Sequence, residues 1–188
     1  MKRNQLEHAI RTACQIIGHS EIIIVGSQSI LGTYDETELP RSATMSMEVD
    51  VLPIASTHEE TLALANMIEG VAGELSLFES THGFSIDGVD LTTSILPLGW
   101  RDRLVRLENS NTSQVFSSNR FAGLCLDRHD LCVAKICAFR EKDKNFVLAL
   151  MEHRLIDPNE IKERLHQIPT RHSARAENAL IWLAPFLD

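Results

Sequence analysis

Met45-Ser46-Met47-Glu48-Val49-Asp50-Val51-Leu52 is the stretch on which the reading of this chain turns. It alternates around Glu48 and Asp50 and is stopped by Pro53, the pattern of a β-strand. On a strand, residues i and i+2 point to the same face, so these two carboxylates stand side by side among apolar neighbours. Such a pair repels itself and loses hydration unless something positive sits between the two groups. A divalent cation meets that need, because Mg²⁺ binds through one or two carboxylates completed by substrate phosphates. The plainer reading is a solvent-facing strand, since the chain has 26 acidic residues and acid-x-acid triplets are then common.

Two neighbouring features favour the cation. Glu21–Val25 is a β-branched run ending at Gly26-Ser27, after which Gln28-Ser29-Ile30-Leu31 turns into a short helix. A glycine there permits close backbone approach, and the following N–H groups suit a phosphate. Further on, Val89-Asp90-Leu91 sets another carboxylate in an apolar strand context, with Asp87 as the competitor for that third corner. Lys135 is the only charge in Leu131-Cys132-Val133-Ala134-Lys135-Ile136-Cys137-Ala138-Phe139. It reads either as a snorkelling or carboxylate-paired lysine or as a cation held near nucleotide phosphates. Arg140 and Asp143 read as a structural i,i+3 pair.

Around this centre the pattern predicts an α+β fold, a mixed β-sheet core over residues 1–127 with a helical region over 128–188 packed on it. Leu6, Ile10, Ala13, Ile16 and Ile17 give helix one a single apolar face over residues 4–17. Ser56 or Thr57, with Glu59 and Glu60, opens a second helix reaching about Gly73. Residues 84–86, 89–94 and 104–107 read as strands joined by turns at Asp87-Gly88 and Pro97-Leu98-Gly99, and residues 121–126 as a last strand. Helices follow over 130–139 and 145–154, then from Asp157-Pro158, an N-cap followed by proline at the first position, and over 174–183.

Composition excludes several classes. With 188 residues, 44% hydrophobic and 23% charged, the chain is an ordinary globular protein rather than a disordered one. Met1-Lys2-Arg3-Asn4 leads into an amphipathic helix, so no signal peptide is expected, and no apolar run approaches a membrane span. Cys14, Cys125, Cys132 and Cys137 form no C-x-x-C pair and read as buried free thiols, which points to the cytoplasm. The net charge of −8 is uneven, with −10 over residues 1–96 and +2 over 97–188. That balance disfavours nonspecific DNA binding, which needs a broad basic surface. Neither a G-x-x-x-x-G-K-[ST] loop nor a G-x-G-x-x-G occurs, and Ser27 lacks the glycine of a nucleophile elbow.

Taken together, Val25-Gly26-Ser27, Glu48-Val49-Asp50 and Asp90 resemble the nucleotidyltransferase (polymerase β-like) superfamily. The chain looks most like its small stand-alone prokaryotic members, some of which are toxins of toxin–antitoxin or abortive-infection systems. Gly99-Trp100-Arg101-Asp102-Arg103-Leu104-Val105, His129-Asp130-Leu131 through Lys135, and Arg140-Glu141-Lys142-Asp143 add to the likeness. The first acid is Glu48 where aspartate is commoner. The resemblance implies an NTP substrate and two Mg²⁺ ions held by Glu48 and Asp50, with Asp90 on one ion and near the acceptor hydroxyl. Gly26 and Ser27 would hold the triphosphate, with Lys135 facing the leaving pyrophosphate. The acceptor would be an RNA end or a protein hydroxyl, with an antitoxin as partner if the chain is a toxin. The alternative is an inactive fold serving as a nucleotide sensor or protein-binding module. Arg101, Arg103, Arg106, Arg120 and Arg128 are candidates for an acceptor path.

Overall fold

The computed structural model describes residues 1–113 and 120–187. Its first helix, α1 (Arg3–Ile17), buries Leu6, Ala9, Ile10, Ala13, Cys14 and Ile17 on one face and ends at Gly18 in the left-handed conformation. It leads into β1 (Glu21–Val25), whose residues from Ile22 to Val25 are all buried, as a central strand covered on both faces requires. A 3-10 turn, Ser27–Gly32, follows at once.

The strand β2 (Glu48–Pro53) lies antiparallel to β1. Val49 and Val51 are fully buried on one face, leaving Glu48 and Asp50 on the other. After it come α2 (His58–Ala72) and the short α3 (Leu77–His82). Thr57 caps α2 by accepting from the Glu60 N–H, while the Glu60 carboxylate accepts from the Ser56 N–H, one residue before a standard capping box.

Next is β3 (Ser85–Gly88), parallel to β2, then β4 (Val105–Leu107) and β5 (Ala122–Cys125). The five-stranded mixed sheet has the order β3-β2-β1-β5-β4, with β5 parallel to β1 and antiparallel to β4. Helices α1 and α2 lie against the strands β1, β2, β3 and β5.

The chain ends in α4 (Arg128–Ala138), α5 (Glu141–Glu152), α6 (Pro158–Leu165) and α7 (Ser173–Leu183). Of these, α4 packs on α5, α6, α7 and the Ser27–Gly32 turn, so the helical region meets the sheet where β1 ends. One hydrophobic cluster runs from Met1 to Leu183, so both halves of the chain contribute to the core. No helix among the described residues is long and apolar enough to cross a membrane.

The fold is α+β, as the sequence pattern predicts, with three local corrections. Asp87-Gly88 is not a turn but the end of β3, where a Cβ on Gly88 would lie 2.0 Å from the Ala65 carbonyl oxygen of α2. Residues 89–94 are not a strand, because Asp90 caps a 3-10 turn over Leu91–Thr93. Helix α5 begins a turn earlier than expected, with Glu141 and Asp143 in its first turn.

Candidate active site

The site starts at Gly26, where the chain leaves β1 with φ +65°. That left-handed conformation favours glycine, and the space demands it as well. A Cβ at this position would lie 1.8 Å from Oδ2 of Asp50. The backbone of the β1 turn and the carboxylate of β2 are thus fitted to each other.

Register then decides which carboxylates meet. Val25 is paired with Asp50, and Asp50 in turn with Asp87 of β3. Glu48, Asp50 and Asp87 therefore share one face at adjacent positions. Burial first, opposed by Lys135 and reinforced by Asp87, pushes the Asp50 carboxyl up to about 6. Glu48 is pushed up to about 7, first by lost hydration and then by the charges of Asp50 and Asp87. The Asp87 carboxyl stands against that of Glu48 and adds to its rise. Oδ1 of Asp87 is buried without a hydrogen-bond partner among the described residues. This face of the sheet is short of positive charge.

Helical residues supply cations opposite it. Nζ of Lys135, on α4, donates to Oγ of Ser27 at 2.7 Å and to Oδ1 of Asp143 at 3.2 Å. It also lies 5.1 Å from the Phe146 ring centre. Arg140 donates through Nε to Oδ2 of Asp143 at 2.5 Å. Asp143 is fully buried, and although burial opposes ionisation, Arg140 and Lys135 hold its carboxyl below the usual range. Lys142 adds positive potential at both Glu48 and Asp50.

Two clefts open on either side of this lysine. One, of about 220 Å³, is lined by Gly26, Asp50, Thr93, Ser94, Lys135 and Arg140, among others. The second, of about 490 Å³, includes Ser27, Ser46, Lys135, Lys142 and Asp143. A phosphorylated ligand spanning them would meet carboxylates on one wall and cations on the other.

Against this geometry, a family model described as "Nucleotidyltransferase of unknown function (DUF6036)" matches residues 4–181. The chain belongs to this nucleotidyltransferase family. No curated protein and no solved structure matches it.

Within this nucleotidyltransferase, Gly26, Ser27, Asp50 and Lys135 line these two clefts, with Glu48 next to Asp50 on the same face of β2. Asp90 does not join them. Its Oδ1 accepts from the N–H and Oγ1 of Thr92 at 2.6 and 2.5 Å, and those bonds hold its carboxyl below the usual range. The third carboxylate of the sheet face is Asp87. The pattern Asp87-Gly88-Val89-Asp90 leaves both candidates open, and only the Asp50–Asp87 pairing chooses between them. Asp143 and Arg140 have a larger place than a structural i,i+3 pair, because Asp143 also holds Lys135.

The donor chemistry fits a hard divalent cation. The carboxylates are crowded and partly unpaired, and Glu48 and Asp50 are raised by burial and then by neighbouring carboxylates, a cost that a cation between them would relieve. Among the described residues no group of three or more His, Cys, Asp or Glu donors is drawn together to hold a metal unaided. Mg²⁺ coordination through one or two carboxylates with the balance from phosphate oxygens does not require such a group.

Proposed function

We propose that this nucleotidyltransferase moves a nucleotide from an NTP to a hydroxyl acceptor and releases pyrophosphate in a metal-dependent reaction. The observation that carries the reading is the apposition of Asp50, flanked on the same sheet face by Glu48 and Asp87, to Lys135 and Arg140 across a 220 Å³ cleft. Mg²⁺ ions held by Glu48 and Asp50, with Asp87 in the place expected of Asp90, would polarise the α-phosphate and lower the pKa of the acceptor hydroxyl.

The chain's own groups do the positioning. Gly26 leaves room for the Asp50 carboxylate beside the turn where phosphate would sit, since any side chain would fill that space. Lys135 and Arg140 face the developing charge on the pyrophosphate, where fixed cations are worth most. The acceptor oxygen forms a bond to the α-phosphorus, the bond from that phosphorus to the bridging oxygen breaks, and the hydroxyl proton passes to a sheet carboxylate. The four cysteines are free and buried, which supports a reducing compartment, the cytoplasm, as the place of action.

The test is incubation with each α-labelled NTP and Mg²⁺, using total RNA and cell lysate as acceptors, beside Asp50→Ala. Label transferred by the wild type and lost in the variant supports the reading. Transfer undiminished in Asp50→Ala overturns it.

A further inference from the structure

A cleft of about 790 Å³ adjoins the proposed transfer site without being part of it. Ser94 lines both this cleft and the smaller one that holds Asp50 and Lys135, and Thr92 and Thr93 on the same turn face one each. The large cleft is thus a neighbouring chamber behind a wall one turn thick.

Its lining has a particular chemistry. The Arg101 guanidinium lies over the Trp100 ring, 4.4 Å from the centroid. Across the cleft, Nε of Arg171 donates to Nε2 of His172 at 3.1 Å. Pro97 and Leu98 supply apolar floor, and Asp102 is the one acidic residue in the lining.

The other arginines of the sequence-proposed acceptor path are engaged. Arg103 is paired with buried Asp130, Arg106 with Glu21 and Glu108, and Arg120 with Glu108. Arg128 stacks on Tyr34 and donates to its hydroxyl. Among the described residues neither Arg101 nor Arg171 has an ion-pair partner, and both are exposed in this cleft. Positive charge left uncompensated in a chain of net charge −8 is matched to an anion. An arginine plane on an aromatic ring adds a stacking platform for a base.

We propose that this cleft holds the 3′-terminal nucleotides of a single-stranded nucleic acid, with Trp100 and Arg101 stacking a base and Arg171 and His172 taking backbone phosphate. The strand's terminal hydroxyl then passes the Thr92–Ser94 wall to reach Asp50. This names the acceptor of the transfer reaction and rests on that reading of the site. Stacking with a few phosphate contacts suits a strand end, whereas a protein acceptor would find no such platform.

The experiment measures binding separately from chemistry. A fluorescein-labelled 12-nucleotide single-stranded RNA with a free 3′-hydroxyl is titrated by anisotropy with wild type, Arg101→Gln/Arg171→Gln and Trp100→Leu. Arg175→Gln, a change at an exposed arginine outside the cleft, serves as control, and a DNA strand of equal sequence shows whether the 2′-hydroxyl is read. The double variant is expected to weaken binding at least about tenfold, and Trp100→Leu about tenfold, with Arg175→Gln unchanged. NTP binding by calorimetry should stay intact in all of them. RNA and DNA bound alike to all four proteins, or label transferred to protein while RNA is ignored, would overturn the proposal. Loss of NTP binding in the wild type itself would instead strike the transferase reading.

Discussion

Asp50→Asn should make the metal-free protein more stable while it destroys activity. The carboxyl of Asp50 rises from 3.8 to about 6 on folding, chiefly through burial. The native state therefore binds the proton more tightly than the unfolded chain. Stability from this group is fully present below pH 3.8 and is lost as pH rises through about 6. At about 1.36 kcal/mol for each pH unit, the ionised group costs about 3 kcal/mol at neutral pH, trimmed to about 2 by the cleft's access to solvent. Asparagine has the same shape and no charge to desolvate. For a chain of this length about 2 kcal/mol corresponds to a rise in Tm of about 4–8 °C. Thermal melts in EDTA at pH 7.5 should show that rise, and at pH 4 the two proteins should differ by only about half a kcal/mol. Mg²⁺ should then raise the melting point of the wild type more than that of the variant, because binding to the native state stabilises it. An Asp50→Asn protein melting at or below the wild type at pH 7.5 would refute the reasoning, since it would mean that the carboxylate is already compensated.

Gly26→Ala should lower the urea midpoint by the equivalent of about 1–3 kcal/mol and end transfer, because the new methyl group occupies the position of the Asp50 carboxylate and the backbone has φ +65°. Asp87→Asn should reduce transfer at least about a hundredfold, whereas Asp90→Asn should leave it within about threefold, as steady-state rates with saturating NTP will show. Asp143→Asn should destabilise the protein by about 3–5 kcal/mol in urea titrations, since it leaves Lys135 and Arg140 without their buried partner. The contribution of Asp143 is present above the ordinary carboxylate pKa and is lost as pH falls through its own lower one. Acid titration of the wild type should therefore reveal that loss only below about pH 4.

The parts of the fold legible in the sequence are those fixed by neighbours along the chain. Period 3.6 reveals α1 because Leu6, Ile10 and Ala13 need only each other's spacing, and period 2 reveals β2 because Val49 and Val51 flank Asp50. Asp157-Pro158 marks α6 by the same local logic. The segment 89–94 misleads because its apolar–acid–apolar opening imitates a strand. The Asp90 side chain instead bonds the Thr92 N–H, offering the backbone an alternative to the ladder. Helix α3 was announced by Ser76 with Glu79 three residues on, a capping signal hidden by the helix's lack of a buried face. The choice between Asp87 and Asp90 as the third carboxylate could not be read. Asp87 joins Asp50 through the register of two strands separated by a helical excursion, and register is not written in either strand alone.

The two walls of the cleft are unequal in a way that bears on how a substrate would enter. On the sheet, Glu48 and Asp50 are raised first by burial, then by Asp50 and Asp87 acting on Glu48 and by Asp87 acting on Asp50, so that wall gains most from a cation. On the helices, Lys135 and Arg140 share a single buried counter-charge, Asp143, whose carboxyl is held low. Lys135 also rests on Ser27, at the turn where phosphate is proposed to sit. A bare triphosphate would bring more negative charge to a sheet face that already has too much, while a bare cation would leave the helical wall unchanged. A cation and its phosphates arriving together satisfy both walls at once, with Asp143 keeping the lysine ammonium in place as Ser27 exchanges it for phosphate oxygen. In the proposed reaction, metal and NTP should therefore bind with positive cooperativity, each raising the affinity of the other by the same factor.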